Sequence, residues 1–227
     1  MRYRRTTAVA AAGLALVTGA FVWAWSDPVP AIRDELRAAA SDPTNHEPYA
    51  DLVRAELGAA DRLQTVTFSM PCFWAGESHF GGLEGVYRTT PGTQAGKEVV
   101  RVAFDPRVTS YDDLLAAPPD PAAKGRGCRY DPDKTAPERK DPAFVPDDLE
   151  KWSLRQTDGL KCVPMTPAQA ARVNALFHAG RPVEPWLSPT QNKLLAKVRK
   201  NPNADWTEYV GNERLWDLLR TQATGRK

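Results

Sequence analysis

The chain has 227 residues, of which 42% are hydrophobic and 26% are charged, so neither a disordered chain nor a polytopic membrane protein is expected. The formal net charge is +2, and removing the positive charges of Arg2, Arg4 and Arg5 leaves −1 for the rest of the chain, since residues 1–26 contain no acid. A nucleic-acid-binding protein needs a basic surface that this remainder lacks, so no nucleic-acid partner is expected.

The first segment is predicted to direct export. Residues 8–25 contain no charge and no proline, and as a helix they would extend about 27 Å, close to the thickness of a bilayer core. The arginines before them favour an N-terminus that stays in the cytoplasm. We expect residues 1–26 to be a signal anchor, with a cleaved signal peptide as the alternative. Either one makes the remainder extracytoplasmic, as a membrane-anchored, periplasmic or secreted protein.

Residues 27–62 are predicted to form a helical stalk or collar. A first helix should run to about Ala40, because Ile32 and Leu36 have helical spacing behind a proline-rich start. A second amphipathic helix is expected over residues 47–57. Neither helix has a sequence pattern that predicts a catalytic or binding role.

Residues 63–165 are predicted to form the catalytic domain. The expected elements, in order, are a strand over 65–70, a helix over 73–83, a strand over 85–90, a strand over 97–104 and a helix over 110–117. This order makes up most of a split βαβ unit, so the predicted fold class is α+β with a ferredoxin-like two-layer core. Residues 159–163 are the expected final strand.

Two further regions complete the predicted organisation. Residues 118–147 are rich in proline and without periodicity, which predicts a long irregular excursion. Residues 166–227 are predicted to be a helical C-terminal extension. Thr166 and Ser188 each begin a capping box followed by proline, Gly180 should end the first of these helices, and a last helix is expected over residues 205–221.

Cys72 and Glu98 are the strongest candidates for catalytic residues. Cys72 follows a strand and begins a helix, where free backbone N–H groups favour a thiolate, although a buried inert cysteine fits the position equally well. Glu98 shares a strand face with Val100, Val102 and Phe104, which would raise its pKa and make it a proton donor. The alternative is a glutamate at the sheet edge that points to solvent.

Residues 64–116 carry an ordered set of motifs around these two residues. A Cys-Phe-Trp motif is followed by a glutamate, then by a strand with a glutamate that ends in Asp-Pro, then by a helix with Ser-Tyr and Leu-Leu. The residues are Cys72, Phe73, Trp74, Glu77, Glu98, Asp105, Pro106, Ser110, Tyr111, Leu114 and Leu115. In this respect the segment resembles the A-type peptide methionine-S-sulfoxide reductases.

The resemblance implies a thiol-dependent oxidoreductase that repairs oxidised methionine in peptides or proteins. Cys72 would attack the sulfoxide sulfur, Glu98 would protonate the oxygen, and Phe73 and Trp74 would hold the substrate methyl group. The resulting sulfenic acid must be reduced by a second thiol. No bound cofactor is implied, only an external thiol, either a small molecule or a thioredoxin-like protein.

The sequence differs from the family pattern in two respects. Pro71 replaces the glycine that precedes the cysteine, and the connection expected over residues 90–95 is too short to supply the tyrosine that binds the sulfoxide oxygen. For the second thiol, Cys162 is favoured because it would follow the strand that completes the sheet, and Cys128 is the other candidate. If those two cysteines instead form a structural disulfide, an outside thiol reduces Cys72 directly.

Metal chemistry is not predicted, because His46, His79 and His178 have no ligand spacing with the cysteines. Two other functions remain open from the sequence. One is a catalytically degenerate module that binds methionine or methionine sulfoxide. The other is a structural envelope protein in which Cys72 is only packed.

Overall fold

Helices surround a small antiparallel sheet in a mixed α/β fold. A computed structural model of the protein describes residues 27–118, 136–137, 144–157, 159–210 and 213–223. The predicted export segment 1–26 and most of the proline-rich excursion, including Cys128, lie outside the described residues. No helix in the described ranges is long and apolar enough to cross a membrane.

The sheet is built around strand β3 (Lys97–Phe104), which lies between β1 (Gln64–Ser69) and β2 (Val86–Gln94). Both neighbours run antiparallel to it. Two short strands, β4 (Ala136–Pro137) and β5 (Val145–Pro146), pair with β1 and β2, so that the order is β4-β1-β3-β2-β5. The bounds predicted for the central strand are confirmed.

The hairpin between β2 and β3 differs from the prediction. Residues 90–95 were expected to connect the strands, but β2 continues to Gln94, and the turn is made by Ala95 and Gly96. Both turn residues have positive φ angles, 51° and 74°. Such angles suit a two-residue hairpin turn whose twist matches the strands, so pairing extends to the end of β2.

One face of the sheet is covered by helix α3 (Phe73–Gly81) and by the short helix α4 (Tyr111–Ala116). The predicted capping box of α4 is confirmed, since Ser110 and Asp113 each accept a hydrogen bond from the other's backbone N–H. The alternating residues of β1 and β3 meet these helices in the main core. Its buried members are Phe68, Met70, Phe73, Phe80, Val86, Val100, Val102, Phe104 and Leu114.

A second core joins the two ends of the described chain. Helices α1 (Val29–Ser41) and α2 (Pro48–Ala59) pack together, and α1 also packs against α8 (Glu213–Ala223). Ile32 and Leu36, the residues predicted for the buried side of α1, meet Leu215 and Leu219 there. This last helix begins at Glu213, later than the predicted residue 205.

A third core lies among α5 (Trp152–Arg155), α6 (Pro167–Ala179) and α7 (Pro189–Lys200). The capping boxes predicted at Thr166 and Ser188 are both present. The predicted end of α6 at Gly180 is also confirmed, with a left-handed φ of 71°. Helix α6 packs against α3, which places the extension directly behind the helix that carries the candidate site.

The strand predicted over residues 159–163 is wrong. This segment forms a 3-10 helix, Leu160–Cys162, that starts after Gly159 with a φ of 95°. Leu160 and Val163 are buried in the core with α6 and α7. The edges of the sheet are taken instead by β4 and β5, so the hydrophobic residues of 159–163 serve helix packing.

Candidate active site

Cys72 occupies the N-cap position of α3. Its backbone is extended, with φ −148° and ψ 108°, and its carbonyl accepts the first hydrogen bond of the helix from Gly76. The residue is 7% exposed. The predicted location, after a strand and at a helix start, is therefore confirmed. Backbone N–H groups of the first turn surround such a position and stabilise negative charge there.

Glu98 reaches the same helix start from strand β3. Its backbone carbonyl accepts a hydrogen bond from Met70 N at 3.0 Å, which continues the pairing beyond the end of β1. Its side-chain Oε2 accepts a hydrogen bond from Phe73 N at 2.9 Å. The side chain is otherwise exposed to solvent. The structure thus brings Glu98 to the first N–H group after Cys72 and leaves its second oxygen accessible to a ligand.

Cys72 and Cys162 differ in their bonding. Cys72 is disulfide-bonded, whereas Cys162 is a free, buried thiol. Neither a Cys72–Cys162 bond nor a Cys128–Cys162 bond is therefore present. The 3-10 helix Leu160–Cys162 places Cys162 between Leu160 and Val163, which are buried among the helices. Burial raises the pKa of the Cys162 thiol, and Lys161 only partly opposes this.

Aromatic side chains lie beside Cys72. Phe73 is buried and Trp74 is half-buried, with their ring centroids 5.4 Å apart. Trp152, from the start of α5, stacks on Trp74 with a centroid distance of 4.2 Å and an angle of 8°. The sequence analysis missed Trp152, since no local pattern connects it with a residue 78 positions away.

Glu77 is held by a lysine that the sequence analysis also missed. Lys151 Nζ lies 2.7 Å from Glu77 Oε1, and Lys151 N donates to Glu77 Oε2 at 2.6 Å. Complete burial raises the pKa of the Glu77 carboxyl, against the opposing charge of Lys151. Burial alone would lower the pKa of Lys151, but the carboxylates of Glu77 and Glu150 outweigh it and raise that pKa. The pair anchors α3 one turn after Cys72.

Chemically, this arrangement provides a cysteine at a helix N-terminus, a carboxyl group hydrogen-bonded to the adjacent N–H group, and neighbouring aromatic rings. Among the residues that the structure describes, no three His, Cys, Asp or Glu side chains are grouped to hold a metal ion. The start of a helix is a position at which a reduced cysteine is favoured as a thiolate, and a carboxyl group lies at the same helix start.

Curated relatives match part of the chain. A peptide methionine sulfoxide reductase MsrA of Rippkaea orientalis is 39% identical over 70 residues, which is 23% of this chain and 32% of that protein. A peptide methionine sulfoxide reductase of Drosophila melanogaster is 39% identical over 64 residues, which is 22% of this chain and 26% of that protein. An MsrA 2 protein of Nostoc is 33% identical over 90 residues, or 32% of this chain and 40% of that protein.

These comparisons show that the chain contains a divergent segment similar to peptide methionine sulfoxide reductases. The resemblance read from the motifs around Cys72 and Glu98 is confirmed at this level. The chain spans about a third of the length of the first curated relatives that it matches. No family model matches it.

Proposed function

We propose that the protein is a thiol-dependent reductase of peptide-bound methionine-S-sulfoxide. The observation that carries this proposal is the 2.9 Å hydrogen bond between Glu98 Oε2 and Phe73 N, which brings the carboxyl group to the helix start that Cys72 caps. This arrangement occurs in a chain with a segment similar to methionine sulfoxide reductases. A sulfoxide is a poor electrophile until its oxygen is protonated or strongly hydrogen-bonded, so the thiolate and the acid are needed at one place.

In the proposed reaction, the Cys72 thiolate attacks the sulfoxide sulfur while Glu98 gives its proton to the sulfoxide oxygen. The protonated oxygen then passes as a hydroxyl group to the Cys72 sulfur, while the bond between the two sulfur atoms and the sulfur–oxygen bond of the substrate break. Methionine leaves as the thioether, and Cys72 is left as a sulfenic acid. A second thiol then attacks this sulfur, which forms a disulfide and releases water. Two thiols are oxidised for each sulfoxide reduced, so an external dithiol or two small thiols must complete the cycle.

Phe73 and Trp74 are proposed to bind the substrate methyl group. Phe73 follows Cys72 directly, and the stacking of Trp152 on Trp74 fixes the indole plane beside it. Pre-organised aromatic rings bind a small apolar group with little loss of side-chain entropy. Trp152 is therefore a positioning residue in this proposal.

We propose Cys128 as the resolving cysteine. Cys72 is disulfide-bonded and Cys162 is free, buried and of raised pKa, which makes Cys162 a poor attacking thiol. Reduction of the resulting disulfide would need a thioredoxin-like protein or a small dithiol. After one turnover, peptide mapping without reductant should recover Cys72 linked to Cys128. Recovery of Cys72 linked to Cys162 would contradict this assignment.

The core is proposed to be ferredoxin-like. Strands and helices follow one another as β1, α3, β2, β3 and α4, and β4 then pairs with the free edge of β1. The order β4-β1-β3-β2 with antiparallel neighbours is the arrangement expected of a split βαβ unit. Strand β5 would be an addition at the edge of β2.

We further propose that residues 8–25 anchor the protein in a membrane and that the rest lies outside the cytoplasm. The charge-free run and the three preceding arginines support this orientation. The protein should sediment with membranes, and protease added outside the inner membrane should digest it. Recovery of the intact chain in the cytosolic fraction would contradict the proposal.

The proposed activity is tested with a peptide that contains either the S or the R epimer of methionine sulfoxide, using dithiothreitol as the reductant. The full chain should reduce the S epimer, and Cys72→Ser should abolish turnover. Cys162→Ser is the matched control and should keep activity within a few-fold, since Cys162 is paired with no residue at the site. Binding of the sulfoxide peptide without turnover by the parent protein would instead identify a binding module.

A further inference from the structure

A cavity lies on the face of the sheet opposite α3. Along β3, Arg101 and Ala103 alternate with the core residues Val100 and Val102, so they point away from α3. A cavity of about 600 Å³ opens on that side. Its walls come from all three long strands, from α2 and α8, and from the segment that contains β5. The proposed reductase site does not use any of these surfaces.

Three guanidinium groups line this cavity, those of Arg88, Arg101 and Arg220. Arg88 pairs with Glu213 and Arg220 with Asp61, at 3.0 and 3.1 Å. All four side chains of these two pairs are substantially exposed, so the pairs are weak and their arginines remain attractive to an anion.

Arg101 is the arginine best prepared for a ligand. Its guanidinium lies 3.9 Å above the ring of Phe144, which fixes its plane. Within the described ranges it has no carboxylate partner and no side-chain hydrogen bond. Stacking uses the face of a guanidinium and leaves its N–H donors in the plane, where they match a carboxylate or phosphate group.

Glu56 is a buried polar side chain in the wall of this cavity. It is 1% exposed and forms part of the cavity wall. Its Oε1 accepts a hydrogen bond from Ala168 N at 3.0 Å, but its Oε2 is buried without a hydrogen-bond partner in the described part of the chain. Burial raises the pKa of Glu56 to about 8. The carboxyl is therefore mostly neutral near pH 7, so it does not repel an anion and carries a proton to donate.

We propose that this cavity binds a small organic oxyanion. Its carboxylate or phosphate group accepts hydrogen bonds from Arg101, with Arg88 and Arg220 adding positive charge. Its apolar part packs against Phe144 and Trp216, which line the same cavity. The Glu56 carboxyl lies in the wall of the cavity and, being mostly neutral near pH 7, does not repel the anion. The site is separate from the proposed sulfoxide reduction. Anion binding here does not depend on whether Cys72 is catalytic.

The test is isothermal titration calorimetry of the full chain with three probes: benzoate, phenyl phosphate and the neutral benzamide. Benzoate or phenyl phosphate should bind at one saturable site, and benzamide should not. A preference between the two anions identifies the ligand as a carboxylate or a phosphate. No saturable binding of either anion, or equal binding of benzamide, would overturn the proposal.

Variants assign the binding to Arg101. Arg101→Met keeps the packing on Phe144 and should weaken anion binding about tenfold or more, as expected for loss of charge-assisted hydrogen bonds. Arg101→Lys keeps the charge without the planar donors, so its anion affinity should lie between those of the parent protein and Arg101→Met. Arg199→Met is the matched control, since Arg199 is an exposed arginine on α7 away from the cavity. Parental affinity in Arg101→Met, with a parental circular dichroism spectrum, would reject the site.

Discussion

Lys151 holds Glu77 with its ammonium group and its backbone N–H together. Their side chains are 4% and 0% exposed, so the ion pair is closed to solvent. The ammonium group also donates to Thr89 O at 2.6 Å, and Glu150 lies 3.5 Å from it. Three acceptors therefore surround the three N–H groups of one lysine. The contact ties the helix that begins at Cys72 to a residue far outside the motif segment.

Lys151→Met should destabilise the protein strongly. Removing one partner of a buried ion pair leaves an unpaired charge and typically costs about 3–5 kcal/mol. The loss should appear in urea unfolding as a lower midpoint with an unchanged slope. Glu77→Leu combined with Lys151→Met should recover much of the loss, because neither charge remains.

Lys161→Met is the control for this substitution. Lys161 is exposed, so its replacement should change the free energy of unfolding by no more than about 0.5 kcal/mol. If Lys151→Met were as stable as the control, the buried pair would not be a stabilising contact.

Sequence patterns predicted those helices and strands whose bounds are set by residues close together in the sequence. The bounds of β3 follow from alternating residues that end at Asp105-Pro106, and the helix starts at Ser110, Thr166 and Ser188 follow from capping boxes. The position of Glu98 at the helix start that follows Cys72 could also be predicted from the motifs, since both residues lie on elements with clear patterns.

Structural features that depend on contacts between distant residues could not be predicted from the sequence. Residues 159–163 have the composition of a strand, but Leu160 is drawn into the helical core, and two-residue strands pair with the sheet edges instead. Lys151 and Trp152 reach α3 only through tertiary packing. Secondary-structure propensity carries no information on which distant partner an element will find.

Glu56 should make the stability of the protein depend on pH. Its pKa rises from 4.5 to about 8 in the folded state, with burial as the main cause and Thr166, Ala168 and Arg88 opposing it. Between these values the folded protein holds a proton that the unfolded chain has lost. The free energy of unfolding should therefore fall by about 1.4 kcal/mol for each pH unit in this window and level off above about pH 8.

Glu56→Gln removes this dependence because glutamine does not titrate. Urea unfolding of both proteins between about pH 5 and pH 8 isolates the contribution, since all other groups are shared. The difference between the two curves should change in favour of the variant as the pH rises. Glu47→Gln, at an exposed position, should run parallel to the parent. Parallel curves for Glu56→Gln would mean that Glu56 is ionised in the folded protein.

Gly81 and Gly58 offer a matched test of the contact between α3 and α6. A Cβ atom at Gly81 would lie 2.6 Å from the backbone oxygen of Ala171, so Gly81→Ala should force the helices apart and cost about 1–3 kcal/mol. A Cβ atom at Gly58 in α2 meets nothing within 4 Å. Gly58→Ala should therefore stabilise the protein by about 0.5–1 kcal/mol through helix propensity. Thermal unfolding should shift in opposite directions, and equal shifts would contradict the close helix contact.

The carboxyl group of Glu98 separates an enzyme from a protein that only binds the sulfoxide. Glutamine at this position keeps an oxygen that accepts the hydrogen bond from Phe73 N, so the start of α3 should remain intact. What the substitution removes is the transferable proton. A positioned acid contributes about 100- to 10,000-fold to proton transfer, and residues 90–95 contain no tyrosine that could share this task as one does in the resembled family.

Glu98→Gln should therefore reduce the S epimer at least about 100-fold more slowly than the parent in single-turnover measurements with reduced protein. Alkylation of the reduced Cys72 at about pH 6 should stay within a few-fold of the parent, because the helix start favours the thiolate without Glu98. Glu84→Gln is the control, since Glu84 is an exposed glutamate outside the site, and it should reduce the substrate at the parental rate. If Glu98→Gln matched that control, Glu98 would not be the proton donor. If both turnover and alkylation fell together, Glu98 would act on the thiolate of Cys72 and not on the sulfoxide oxygen.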